Sequence, residues 1–277
     1  MRPRIAFLDV DGTILDHGRT VQSSTVEAVR AARAAGHLVY LSTGRSAGDI
    51  HPDVAAIGFD GAITNGGAYA TSGDDLVVSD PMPRDAVERL QEWFAEAGIP
   101  YFLQTNDGVY ASAEVRAMVA DFVRQWQSRI APDEPQTAPQ GPPRFRDLAD
   151  IDRDAVAKAV FVSNDRDAVA RATDALGDRF HVVPGSMPLP GGTNGEIGIR
   201  GTTKGAAIET LLAHLGRSAE DAIGIGDSWN DVEMFEVCGV GIAMGNADEE
   251  LKALADDVTT SVSDHGVANA FATHGLI

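Results

Sequence analysis

The sequence predicts an α/β protein: a doubly wound parallel-sheet core, split by an inserted α+β cap domain. Three observations carry this. Short, continuous apolar runs alternate with amphipathic helical stretches from residue 4 to about residue 82. The same rhythm returns near residue 195. Between the two, a helix, hairpin and helix pattern replaces it. Unbroken apolar runs mark strands buried on both faces, as in parallel sheets, and their alternation with helices marks β–α–β connections. The expected boundaries are 1–82 and 190–277 for the two parts of the core and 83–189 for the insertion.

Taken in order, RIAFLD (residues 4–9) reads as the first buried strand, ending in polar loop residues. Ser24 followed by Glu27 has the spacing of a capping box, opening a helix that runs to about Ala35, with Gly36 as its stop. HLVYLS and DGAIT supply the second and third strands. PRDAVERLQEWFAEAG is an amphipathic helix with Pro83 near its start and Gly98 past its end. IPYFLQ and GVYAS, joined through Asn106, Asp107 and Gly108, form a hairpin. A helix is expected from about Ala113 to Arg129, and five prolines in residues 131–143 mark an irregular loop. AKAVFVS, a helix near Asp167 to Leu176, and FHVVP complete the insertion. EIGI then reopens the core, followed by the helix TKGAAIETLLAHLG, the strand DAIGIGD, the helix SWNDVEMFEV, the strand VGIAM and the helix ADEELKALA.

The net charge of −19 argues against a nucleic-acid partner, which would ask for a basic face. No apolar run approaches the ~18 residues that span a bilayer, so no membrane role is expected. Asp9 and Asp11 interrupt the N-terminal apolar stretch, which does not read as a signal peptide. The single cysteine, Cys238, forbids an intramolecular disulfide and suits a cytoplasmic protein. An acidic protein that handles anions must gather positive charge locally, on a metal ion, a lysine or a helix N-terminus.

Four acids carry the chemistry. Asp9 and Asp11 stand in FLDVDGTILD at the end of the first strand, where open α/β sheets bind ligands. Gly12 permits the sharp turn that keeps both at that edge. A carboxylate can accept a phosphoryl group and release it as a reactive acyl phosphate. DxD alone would be a common strand-end turn; DxDGT after a buried strand is much rarer. Asp227 and Asp231 follow another strand in IGDSWND, four residues apart. Helix capping, with Asp227 or Ser228 as N-cap, is the rival reading, and for Asp231 taken by itself it is a strong one. Four acids at one sheet edge repel one another; a divalent cation resolves this, and all-oxygen ligands favour Mg²⁺.

Lys204, after Thr202 and Thr203 at a helix start, adds a point charge where backbone N–H groups already favour anions. An exposed first-turn lysine is the rival reading. Thr43, Gly44 and Arg45, in LSTGR, supply a hydroxyl, an open amide and a guanidinium suited to phosphate. Taken alone they make an ordinary turn; Ser42 is the competing hydroxyl, expected to point into the sheet. Asn65, Gly66 and Gly67 read equally as a glycine turn or a substrate contact.

Together these pieces resemble the haloacid dehalogenase superfamily, and within it the Cof-type sugar-phosphatase branch, over nearly the whole chain. The resemblance implies a Rossmann-like core with a C2-type cap at the insertion, closing over the core and selecting substrates. DVDGT implies Asp9 as nucleophile and Asp11 as general acid/base. STGR implies Thr43 as a phosphate ligand, with Gly44 and Arg45 beside it, and Lys204 fits the third motif. GDSWND implies Asp227 as a metal ligand, Asp231 as its support, and Asn230 near the phosphate. The metal set expected on this basis is Asp9, Asp11, Asp227 and Asp231, holding Mg²⁺. SWND departs from the usual small-acidic pair and places Trp229 at the rim. PGSMPLPGGTNG (residues 184–195) is longer than the usual return from the cap. The expected activity is phosphatase action on a small phosphorylated metabolite, by a monomer or weak homodimer. A phosphomutase on the same scaffold and a non-catalytic phosphate-ester sensor are the alternatives.

Overall fold

The computed structural model describes residues 3–16, 20–129, 145–185 and 192–277. Its contacts divide the chain into two units. The first comprises residues 1–45, 50–79 and 202–277; the second comprises 46–49 and 80–201. The proline-rich stretch 131–143 and residues 186–191 of the long return lie outside the described residues.

The first unit is built on an eight-stranded sheet. From one edge to the other its strands are Asp257–Val258, Val240–Ala243, Ala222–Gly226, Ile5–Leu8, Leu38–Ser42, Gly61–Thr64, Tyr69–Ser72 and Asp75–Ser79. The first six run parallel, and the last two are added by antiparallel pairing, Tyr69–Ser72 running against the rest and Asp75–Ser79 against it. Both faces are covered, which is why the strands read as unbroken apolar runs. Ala6 and Leu8 face Ala28, Val29 and Phe271, from the helices Ser23–Ala34 and Gly266–Thr273. Ile5 and Phe7 face Ile208, Leu211 and Met234, from Lys204–Leu215 and Val232–Val237. Ile5–Leu8 is the switch point of the sheet. The chain leaves it to one side through Leu38–Ser42 and returns on the other through Ala222–Gly226. Ligands bind beyond the carboxyl ends of strands at such a point.

Local details differ from the expectations in two places. The first helix starts at Ser23 with Gln22 as N-cap and no side-chain cap. Ser24 Oγ lies 2.9 Å from His265 Nδ1, so the expected capping box does not form. The hairpin Tyr69–Ser72 and Asp75–Ser79, for which nothing in the sequence was singled out, extends the edge of the sheet.

The second unit is a six-stranded sheet ordered Phe145–Asp147, Gly108–Ala111, Tyr101–Thr105, Val156–Ser163, Thr193–Ile199 and Phe180–Pro184. The helices Arg84–Ala97 and Ala168–Leu176 pack Leu90, Phe94 and Ala172 against Leu103, Phe161 and Ile197. Ala113–Arg129 packs Val115 and Val119 against Phe102 and Val160. Pro83 and Gly98 bound the first of these helices, with Gly98 left-handed at φ 62°. EIGI, expected to reopen the parallel core, instead lies in Thr193–Ile199, antiparallel to Val156–Ser163. The chain rejoins the first unit after Gly201 rather than at residue 190.

Candidate active site

Every singled-out acid and its neighbours stand in the first unit, at the carboxyl ends of its strands. Asp9 follows the strand Ile5–Leu8 and is 4% exposed; its N–H donates to Ile225 O at 2.9 Å, which fixes its backbone between two strands. Lys204 opens the Lys204–Leu215 helix behind the N-cap Thr203, whose hydroxyl accepts from Ala206 N. Its side chain runs inward, not to solvent, and is 1% exposed. Nζ donates to Asp9 Oδ1 at 2.7 Å and to Asp231 Oδ1 at 2.6 Å. A lysine so buried needs paired charge, and two carboxylates supply it. Burial alone would lower the ammonium's pKa; Asp231 and Asp9 more than offset that and hold it above the ordinary lysine range.

Asp231 is fully buried, and both its oxygens are engaged. Oδ1 takes Lys204, while Oδ2 accepts the N–H groups of Asp227 (3.0 Å) and Ser228 (3.1 Å). The capping reading holds for Asp231, which closes the capping box of Trp229–Asp231 with Ser228, and the same carboxylate also stands beside Asp9 through Lys204.

Asp227 follows the strand Ala222–Gly226. Among the described residues its Oδ1 is buried without a hydrogen-bond partner. Asp9, Asp227 and Asp231 each place a carboxylate oxygen within 4.8 Å of the others. Burial first, then like charge, pushes two of them up: Asp227 to about 8, chiefly by burial and Asp9, and Asp9 to about 7, with Lys204 pulling the other way. Buried, mutually repelling carboxylates around an orphaned oxygen are an all-oxygen donor set that suits a hard divalent cation.

Asp11, expected in the metal set, lies outside this cluster. It is reached instead by Arg45, whose Nε and NH2 donate to Oδ2 and Oδ1, each at 2.7 Å. Arg45, expected beside phosphate, is thus a bidentate partner of Asp11. Gly12 has φ 86°, and a Cβ there would stand 2.0 Å from Asp227 Oδ2, so only glycine fits.

Thr43 ends the strand Leu38–Ser42 and is 1% exposed; its Oγ1 accepts from Arg45 N at 3.1 Å across half-buried Gly44. Ser42 is fully buried. Asn65 adopts φ 54°, and Gly67 packs so closely on Thr203 that a Cβ would stand 2.1 Å from its carbonyl oxygen. The turn Asn65–Gly67 thus buttresses the start of the lysine helix. Asn230 accepts from Ser228 Oγ at 2.9 Å. Trp229 is 41% exposed, with Nε1 donating to Asp248 Oδ2 at 3.0 Å. Asn246 was not anticipated. Its Nδ2 reaches Gly12 O and Asp227 Oδ2, and its only sequence signal was a polar residue just past VGIAM at the same sheet edge.

Comparison with known proteins places the chain in a family. Residues 6–271 match the family described as haloacid dehalogenase-like hydrolase. The chain is 30% identical to YkrA of Bacillus subtilis over the full length of both proteins. It is 26% identical to the pyridoxal phosphate phosphatase YbhA of Escherichia coli, covering 99% of each. It is 29% identical to an HMP-PP phosphatase of Escherichia coli, covering 90% of this chain and 87% of that one. Among solved structures, BT1666 of Bacteroides thetaiotaomicron superposes with TM-score 0.80 at 24% identity, covering 99% of this chain and 96% of that one. At that identity the likeness speaks for the fold. No described helix is long and apolar enough to cross a membrane. The relatives are named as phosphatases, and the chain belongs to the haloacid dehalogenase-like hydrolases and is a phosphoric monoester hydrolase.

Proposed function

We propose that the chain hydrolyses small phosphate monoesters, such as sugar phosphates and comparable metabolites, in two steps through a phosphoryl group carried on Asp9. One observation carries this reading: Asp9 is a buried carboxylate at the sheet's switch point, clamped by Lys204 and grouped with Asp227 and Asp231. That is the setting of a positioned nucleophile, not of a surface acid. The relatives support the substrate class by name, one acting on pyridoxal phosphate and one on HMP-PP.

Asp9 attacks phosphorus, and Asp11 protonates the departing ester oxygen. Asp11 then takes a proton from the water that hydrolyses the aspartyl phosphate. Both Asp11 oxygens are occupied by Arg45. The guanidinium therefore has to move onto the phosphoryl oxygens, freeing Asp11, as substrate binds. Thr43 and Gly44 hold the phosphoryl group, and Asn230 lies beside it. Lys204 keeps Asp9 charged and aimed. Asp9 and Asp227 would hold Mg²⁺, with Asp231 supporting them; the cation supplies neutralisation of the charge gathered between carboxylates and phosphoryl oxygens. The second unit, residues 80–201, supplies substrate selection as a cap.

Phosphate release measured over a panel of phosphorylated metabolites tests the reading. Turnover is expected with Mg²⁺, none after exhaustive chelation, and full activity in chelator would overturn the metal assignment. A pH effect follows as well. The raised Asp9 and Asp227 groups make the metal-free fold hold protons more tightly than the unfolded chain. Their stability contribution is present below the unfolded value near 3.8 and is lost as pH rises through about 7 and 8. The cation relieves that loss. The rise in melting temperature on adding Mg²⁺ in place of EDTA should therefore widen from pH 6 to pH 8.5. A constant or narrowing gap would contradict the assignment of these carboxylates.

A further inference from the structure

Asp227 presents its two oxygens unequally. Oδ1 is buried without a partner among the described residues, whereas Oδ2 is pinned: Asn246 Nδ2 donates to it at 3.3 Å, and the backbone of Gly12 packs against it. The same Nδ2 donates to Gly12 O at 2.9 Å, and Asn246 Oδ1 accepts from Val262 N at 3.2 Å. One amide thus joins four segments: the turn after Ile5–Leu8, the turn after Ala222–Gly226, its own turn after Val240–Ala243, and the segment that leads into Gly266–Thr273. Both donor hydrogens of that amide are spent on the catalytic turn and the acid, and its acceptor is spent on the scaffold. The two oxygens of a carboxylate are equivalent, so what the Asn246 bond fixes is the plane of the group: tilting out of it would break that bond, whereas within it one oxygen stays pinned and the other is left for a further ligand.

We propose that Asn246 is a positioning residue for the cation site, fixing the plane of the Asp227 carboxylate so that its unpartnered oxygen faces the ion. This rests on the reading of Asp227 as a ligand. Partners that orient a metal ligand typically set affinity by about 10- to 100-fold. The bond to Val262, by contrast, serves only the loop.

The test separates those two roles. Mg²⁺ binding to Asn246→Ala is measured by calorimetry in the absence of substrate, beside the melting temperature in EDTA. The expected result is a Kd for Mg²⁺ weakened about 10- to 100-fold, with a smaller Mg²⁺-induced rise in melting temperature. The Mg²⁺ concentration for half-maximal phosphate release should move in parallel, with kcat recovering at saturating Mg²⁺. An unchanged Kd with a lower melting temperature in EDTA would assign Asn246 to the loop alone and overturn the proposal. Should Asn246→Ala not fold, Asn246→Ser, which shortens the side chain yet keeps a hydroxyl, is read by the same two outcomes. Asp227→Asn serves as the reference. If it too leaves Mg²⁺ affinity unchanged, the ligand reading itself fails, distinguishably from a failure of Asn246 alone.

Discussion

Asp9→Asn is expected to fold and to lose about 10⁴-fold or more of its turnover on every substrate, because an amide cannot accept a phosphoryl group. Folding should survive because Lys204 keeps its second carboxylate, Asp231, at 2.6 Å. Removing one of several crowded charges should also raise the melting temperature in EDTA near pH 8, where burial and neighbouring acids oppose ionisation of Asp9. Stability up and activity gone is a signature that a merely structural Asp9 cannot give, since loss of a structural ion pair would lower stability. Phosphate release measured beside thermal melts decides the matter. A folded variant that keeps more than a small fraction of wild-type turnover would remove Asp9 from the chemistry.

The second large effect belongs to Asp11, and it should split by substrate. A sugar alkoxide leaves only with a proton, whereas nitrophenolate leaves without one. With sugar phosphates, Asp11→Asn should stall before phosphoryl transfer and show no covalent species. With nitrophenyl phosphate, transfer should proceed and hydrolysis should lag, for want of the base. A stoichiometric burst of nitrophenolate should then appear, with a phosphoenzyme that hydroxylamine traps at Asp9. The structure sharpens this expectation, because Asp11 stands apart from the acid cluster and is held by Arg45. Loss of metal affinity is therefore not the expected lesion. Equal losses on both substrates, with no burst, would assign Asp11 to the fold or to the metal instead.

The core was legible wherever a residue's environment is set by its own stretch of chain. IAFL within RIAFLD and LVYL within HLVYLS are apolar runs because helices cover both faces of their strands, and burial of that kind leaves a local mark. Pro83 and Gly98 bound a helix through their own backbone limits, and the structure ends it there. What remained hidden depends on partners distant in sequence. EIGI has the same apolar pattern whether it joins a parallel or an antiparallel sheet; only its pairing with Val156–Ser163 decides. Ser24 and Glu27 have capping-box spacing, yet Ser24 meets His265 across 241 positions.

The candidate site shows the same division. Asp9, Lys204, Asp227 and Asp231 were chosen for their motifs, and the fold brings all four together. The direction of each carboxylate was not legible. Asp11 is only two positions after Asp9, yet it stands outside the cluster and is held by Arg45. Asp231 reads as a cap or as a site residue, and nothing in the sequence says that one carboxylate can do both with its two oxygens. Asn246 lies 234 positions from the Gly12 carbonyl it holds, so no local signal could have joined them.

The central claim is that phosphorus passes through Asp9 before it meets water. The stereochemical course at phosphorus tests this most directly, using an ester whose phosphoryl group is made chiral with oxygen isotopes. Two successive in-line displacements, the first by Asp9 and the second by water, predict net retention of configuration in the phosphate released. Net inversion would mean a single direct attack by water and would contradict the account.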